Sequence, residues 1–307
     1  MRQRALKSVH DLARRDNRVL FIGSDLGAGV LKEMREEFPD RFFMEGIAEQ
    51  HVVGMAAGLA IEGYMPFVNT IATFLTRRCF EQVAIDVCLE NLPVRLLASG
   101  GGVVYAPLGP THIALDDIAL MRALPNMSIV APCDAEEMAR LIEASLGWTG
   151  PLYIRIAKGG DPILSSPGAE FEIGQAILMR DGGDILIVGT GVATGVALQA
   201  AELLSGEGVE ASVLHAHTVK PFDQVAFLSL AKEKRLIVTV EEHGLIGGLG
   251  STVLEALNDA GLVRPVLRLG FPDAFATGYG SQAHLLSKAG VTGEAVAARI
   301  VQVLKGD

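Results

Sequence analysis

The sequence predicts an α/β protein of two doubly wound domains, each built on a largely parallel sheet. Three observations carry this. Short β-branched runs alternate with longer segments of helical period. Runs such as VRLLA at 94–98 are apolar on both sides, as strands buried on both faces are. The alternation breaks once, over 157–171, where AKGGDPILSSPGAEF carries glycines and prolines without a period.

In chain order, the N-terminal stretch MRQRALKSVHDLARRD predicts a polar amphipathic helix rather than a signal peptide. RVLFIGSD (18–25) is a strand ending in a turn, LKEMREEFP a helix stopped by Pro39, FFMEGI a strand, and 48–62 a helix stopped by Gly63. MPFVNTI, LPVRLLAS, MSIVAP and LYIRIA follow as strands, with helices near 73–90, 114–123 and 134–146. After the break come DILIVGTG, a helix over 192–205, EASVLHAHTV, RLIVTVEE, a helix over 250–260 and PVLRLGF. The domains are therefore placed at 1–160 and 172–307, with 161–171 as the linker.

Of the 307 residues, 50% are hydrophobic and 20% charged, enough to fill two cores. Net charge is −10 without a dense Lys/Arg cluster, which disfavours nucleic acid or an anionic membrane as partner. The apolar runs fall short of the roughly 20 residues of a membrane helix. Three cysteines, odd in number and unpaired in spacing, suit a reducing cytoplasm better than a disulfide framework or a zinc site. A soluble, cytoplasmic protein is expected.

Two glycine-rich turns invite a cofactor reading. GTGVATG (189–195) follows a strand and opens a helix, but its third glycine comes one position late for a dinucleotide fingerprint, and a tight strand-to-helix turn explains it as well. EEHGLIGGLG (241–250) fits either a phosphate cradle or a buried turn that brings backbone close to another element. Gly-Lys-Ser/Thr does not occur, which excludes a Walker-type site.

Glu49 stands apart. In GIAEQH it lies where an apolar strand passes into a helix rich in small residues, Gly54, Ala56, Ala57, Gly58 and Ala60, which let another surface approach. An acidic residue in a first helical turn is favoured by the helix dipole alone, by about 0.3–1 kcal/mol. A buried carboxylate, however, needs a partner or a raised pKa that keeps it protonated, and the second condition suits a proton donor.

MEGIAEQHVVGMAAGLAIEGYMPFV, TFLTRRCFEQVAIDV and GPTHIALDDIALMRALPNMSIVAPCD resemble the pyrimidine-binding domain of the transketolase and deoxyxylulose-phosphate synthase family, and TVKPFD (218–223) with EEHGLIGGLGSTV resemble its C-terminal domain. The resemblance covers nearly the whole chain. It implies thiamine diphosphate as cofactor. Glu49 would then hydrogen-bond N1′ of the aminopyrimidine, stabilising the imino tautomer whose exocyclic nitrogen deprotonates the thiazolium. Phe74 would stack on the aminopyrimidine, although a core phenylalanine is the plain alternative. His112, in GPTH, would face the reacting substrate carbon. Arg155 would hold the far end of the sugar. Asp25 would lie near the cofactor, or simply cap a helix. Arg77 matches an arginine of the synthase-type sequences, where transketolases tend to have an aromatic residue.

The departures from the family concern polar contacts to substrate. Leu108 stands where an acidic residue usually precedes the GPTH turn, Gly100 where a histidine helps hold phosphate, and Gly29 where a serine is usual. Full-length members also bind the diphosphate and Mg²⁺ through an N-terminal domain carrying Gly-Asp-Gly and a later Asn, and DGGD (181–184) is in the wrong place to substitute. The resemblance thus implies the small subunit of a split transketolase. Its partner would be an N-terminal subunit that holds Mg²⁺, around a homodimer core, α2β2 in all. A synthase-like or 2-oxo-acid-decarboxylating subunit and a non-catalytic subunit are the alternatives.

Overall fold

The computed structural model describes residues 1–27 and 29–306. They form two compact units, one of Met1–Gly101 and Leu120–Ile173, the other of Gly102–Ala119 and Gly174–Asp307. The division is not a single cut along the chain, because 102–119 belongs to the second unit. Two hydrogen bonds tie the segment to the rest of that unit, Val103 N–H donating to Glu242 and Gly244 N–H donating to the Leu115 carbonyl, and a two-way bridge between Gly102 and Ala114 closes the segment on itself.

In the first unit β1 (Val19–Gly23), β2 (Phe42–Met44), β3 (Met65–Ile71), β4 (Arg95–Ser99), β5 (Ser128–Val130) and β6 (Leu152–Ile156) lie in the order β5-β6-β4-β3-β1-β2, every pair parallel. Every residue of β1, β3, β4 and β6 is buried, as expected for strands covered on both faces. The chain runs from β1 to β2 on one side and returns to β3 on the other. The order therefore reverses at β1, and in doubly wound sheets the ligand crevice lies beyond the carboxyl ends of the strands at such a point, here β1 and β3.

Around this sheet run α1 (Arg2–Arg15), which buries Leu6, Val9 and Leu12, α2 (Lys32–Glu37), α3 (Glu49–Ile61) and a helical segment over 74–89. The 74–89 segment, expected as an ordinary helix, is wound largely in wide π turns (Phe74–Arg78 and Val83–Leu89) around a short α-helical turn, α4 (Phe80–Gln82). The expected helix at 114–123 is confined to α5 (Asp117–Arg122). α6 (Ala135–Ala144) is capped by the Asp134 carboxylate, which accepts from the Glu136 and Glu137 N–H groups.

The second unit holds β7 (Ile177–Arg180), β8 (Ile185–Gly189), β9 (Ala211–His215), β10 (Thr218–Lys220), β11 (Leu236–Gly244) and β12 (Val266–Phe271). Five of these form a sheet in the order β12-β11-β8-β9-β7, parallel except for the β7–β9 edge. Alternation along β8 fills two cores. Ile185 and Ile187 pack with α7 (Ala193–Gly206) and α11 (Gly293–Lys305), while Leu186 and Val188 face α8 (Gln224–Ala231) and α9 (Leu249–Asp259). The remaining helix is α10 (Gln282–Lys288). Among the described residues, no helix is long and apolar enough to cross a membrane.

Candidate functional site

Parallel strands bring their carboxyl ends to one edge of the sheet, so residues that follow different strands converge there. In the first unit Asp25 follows β1, Glu49 follows β2, Phe74 follows β3, and Arg155 lies near the end of β6. The pairing order β3-β1-β2 makes the first three elements neighbours. Asp25 is exposed and accepts a hydrogen bond from Ser24 Oγ at 3.0 Å; Ser24 Oγ also lies 2.7 Å from Thr70 Oγ1 on β3. Gly27, at φ +95°, passes so close to β1 and β3 that a Cβ there would stand 3.1 Å from Phe21 and 3.5 Å from Asn69.

Glu49 opens α3, its side chain only 1% exposed. Of the two ways to accommodate a buried carboxylate, the structure supplies a partner: Arg78 Nη1 donates to Glu49 Oε2 at 2.6 Å. The same guanidinium lies over the Phe74 ring, 4.1 Å from its centroid, in cation–π contact. Glu49 and Phe74 are thus within reach of one planar group. A planar ring with a hydrogen-bonding edge, stacked on Phe74 and facing Glu49, fits this arrangement.

Sequence reasoning singled out Arg77 and missed Arg78. Arg77 is exposed, and the guanidinium that meets Glu49 and Phe74 belongs to Arg78. The available signal was the four-residue spacing from Phe74, which puts the two side chains on one helical face. Cys79, next along, is buried, and burial with help from the Glu49 charge pushes its thiol up to about 12, against an opposing effect of Arg78. It stays neutral and is a poor nucleophile at pH 7.

Arg155 is buried and packs against Gly101: a Cβ there would lie 2.6 Å from the Arg155 side chain, so only glycine fits. Gly100 and Gly101 donate their N–H groups to the Ile156 carbonyl, which fixes this turn beside β6. His112 belongs to the second unit. It ends a 3₁₀ turn, Pro110–His112, half-buried, with Nδ1 2.9 Å from Thr111 Oγ1. The turn is set by Gly109 at φ +80°, where a Cβ would stand 2.8 Å from Tyr279. Leu108 is exposed just before it.

Both glycine-rich turns are structural. Gly189 ends β8 with its Cα so near α7 that a Cβ would lie 2.9 Å from Thr194 Cα, a tight strand-to-helix turn. In the other, the Glu241 carboxylate accepts from Leu249 N–H at 2.7 Å and Gly250 N–H at 2.8 Å. A Cβ on Gly248 would fall 2.0 Å from Glu241 Oε2. The glycines there cradle the protein's own carboxylate.

Both units match known domains. The pyrimidine binding domain of transketolase matches residues 1–160, and the transketolase C-terminal domain matches 174–296. A 1-deoxy-D-xylulose-5-phosphate synthase of a Synechococcus species is 41% identical over 305 residues, 96% of this chain and 47% of the relative. An uncharacterized transketolase family protein of Sinorhizobium fredii is 40% identical, covering 86% of this chain and 77% of the relative. The chain spans about half the length of the curated synthases it matches. Among solved structures, a split gene transketolase in an inactive beta4 tetramer superposes with TM-score 0.90 at 35% identity, over 99% of this chain and 97% of that one. Transketolase of Campylobacter jejuni shares the fold, with TM-score 0.82 at 17% identity over 98% of this chain and 46% of that one.

Proposed function

This chain belongs to the transketolase family, and we propose that it is the small subunit of a split, thiamine-diphosphate-dependent transketolase moving a two-carbon ketol unit from a ketose to an aldehyde. The observation that carries the reading is the match to a split gene transketolase along 97% of that chain's length. The meeting of Glu49 and Phe74 around one planar group supports it independently.

Thiamine diphosphate, when bound, supplies the carbon centre that takes up and hands on the two-carbon unit. Phe74 would stack on its aminopyrimidine, and Glu49 would share a proton with the N1′ edge, shielded from water by burial. Asp25 and Arg77 would line the cofactor's side of the crevice. His112 would face the reacting carbon and its oxygens, and Arg155 would hold the far end of the substrate. The diphosphate and Mg²⁺, which needs hard oxygen ligands, fall to a partner subunit. Leu108, Gly100 and Gly29 remove polar contacts usual for sugar phosphates, so a substrate with fewer polar groups or without phosphate suits this chain. Three buried cysteines outside any disulfide accord with action in the cytoplasm.

The assembly proposed is a homodimer core with two partner chains. The open face of α3 supports it: a Cβ on Gly58 would meet nothing within 4 Å, one on Gly54 only Asp86 at 3.9 Å, and Ile61, Ile85 and Leu89 are exposed. A second reading, a deoxyxylulose-phosphate-synthase-like subunit, is favoured by the 41% identity and by Arg77.

The test is reconstitution with the product of a reading frame that carries Gly-Asp-Gly and an Asn roughly 30 residues on, about one domain in size or two. Ketol transfer without pyruvate decarboxylation supports the first reading, decarboxylation the second. Neither activity, with or without the partner, overturns both. In the active complex His112→Ala should lower kcat by about 10–100-fold, the size of a lost charge-assisted hydrogen bond, at unchanged cofactor affinity.

A further inference from the structure

Arg78 makes two contacts, and both are those assigned above to the cofactor's ring. Its guanidinium lies over Phe74 at 4.1 Å and donates to Glu49 at 2.6 Å. A guanidinium and a 4-aminopyrimidine share the relevant chemistry. Each is a flat, conjugated group with an edge nitrogen that hydrogen-bonds a carboxyl group and a face that stacks on an aromatic ring. The guanidinium bonds as donor, and N1′ as acceptor of the carboxyl proton or, once protonated, as donor. Two such groups cannot cover one face of Phe74 together and reach the same carboxylate oxygen.

We propose that Arg78 is a gate: in the chain without cofactor its guanidinium fills the place of the aminopyrimidine, and it swings out when the ring binds. The inference rests on the pyrimidine reading of Glu49 and Phe74.

The surroundings suit such a gate. Glu49 is almost wholly removed from water, so an unaccompanied charge there is costly, and the cofactor-free chain needs a counter-charge. Arg78 supplies one from the rim, with its side chain 40% exposed against 1% for Glu49. A long side chain that already half reaches water can rotate outward with little loss of buried contact. It also closes the wide π turn that begins at Phe74, so the stacked ring and the gate move on one local element. Loading of the cofactor must then exceed the cost of breaking the Arg78 contacts. The aminopyrimidine alone would bind weakly, and the diphosphate clamp of a partner would supply the remainder. Cofactor capture would in this way depend on assembly.

The experiment needs neither metal nor partner. The purified chain is titrated with 4-amino-5-hydroxymethyl-2-methylpyrimidine, the ring half of the cofactor, and binding is followed by ligand-observed NMR. Arg78→Ala, or Arg78→Met should the alanine variant fold poorly, should bind the probe on the order of tenfold more tightly than wild type. The cation–π contact alone accounts for about two- to fivefold of that. Arg78→Lys, still charged but not planar, should fall between. Adding Glu49→Gln to Arg78→Ala should abolish the gain. Equal or weaker binding by Arg78→Ala and Arg78→Met, with saturable binding by wild type, overturns the gate and leaves the pyrimidine site standing. Absence of saturable binding in every variant overturns both.

Discussion

Two buried glutamates, one in each unit, are held in opposite ways. Glu241 is fully buried in the second unit, and its carboxylate accepts two backbone N–H bonds at the start of α9 while glycines close around it. Its neighbour Glu242 is likewise taken up by Val103 N–H and the Gln282 amide. Glu49 is as deeply buried, but its partner is a side chain that reaches water. Backbone donors cannot leave without unfolding the turn that carries them. A long arginine can. A carboxylate fixed by backbone is part of the fold, whereas one held by a displaceable side chain is available to a ligand.

The largest effect expected from this contrast is on catalysis at Glu49. Glu49→Gln keeps the shape and one hydrogen bond but cannot exchange a proton with the pyrimidine edge. In the reconstituted complex kcat should fall about 10²–10⁴-fold, the range for a positioned acid–base group. Exchange of the cofactor's C2 hydrogen with deuterium should slow in parallel, and persist in His112→Ala. Fast C2 exchange in Glu49→Gln would place Glu49 with Glu241 as a structural acid.

Glu241 should respond in stability instead. Glu241→Ala leaves the Leu249 and Gly250 N–H groups buried without their acceptor, at about 1–3 kcal/mol each. A loss of about 2–5 kcal/mol in urea unfolding is expected, against a small change for Glu49→Gln. A Glu241→Ala chain of wild-type stability would remove the distinction between the two sites.

The same contrast explains what the sequence made legible. Most strands of both sheets stood out because β-branched runs buried on both faces leave a strong local signal, and Glu49 because a charge interrupted two apolar elements. The glycine turns did not declare their role, since a cradle for a phosphate and a cradle for Glu241 need the same small residues. Edge strand β7 was missed: its burial is only partial and Leu178 is exposed, so ILMR lacks the fully apolar character of an inner strand. The placement of 102–119 in the second unit depends on long-range hydrogen bonds to β11, which leave no trace in local pattern. Arg77 and Arg78 differ by one position, and only the winding of the 74–78 turn decides which guanidinium meets Glu49.

The smallest effect is a pH dependence set by another buried carboxylate, Asp134, which holds both the α6 cap and the breaker-rich segment over 157–171. Burial alone would raise its pKa. Backbone hydrogen bonds from Glu137, Ser165 and Leu164 and the Ser165 hydroxyl outweigh burial and hold it below the usual carboxylate range. Its Oδ2 accepts from Leu164 N–H at 2.8 Å and Ser165 N–H at 2.6 Å, so the breaker-rich segment, which ends the first unit, is pinned to that unit at this point. A carboxyl group with a depressed folded pKa contributes stability above its unfolded value, near 3.9, and loses it as pH falls through the folded one. Proteolysis within 157–171 should therefore be slow and nearly pH-independent down to about pH 4, then quicken below it when followed with an acid-active protease. Asp134→Ala should be cut readily at every pH and lose more than the cost of a missing helix cap, about 0.5–2 kcal/mol, because the Ser165 N–H is also left buried without its acceptor. Its cleavage should show no step below pH 4. A step that survives in Asp134→Ala would assign the pH dependence to some other carboxyl group, and first cuts inside 48–90 would show that the breaker-rich segment is not the weakest point of the chain.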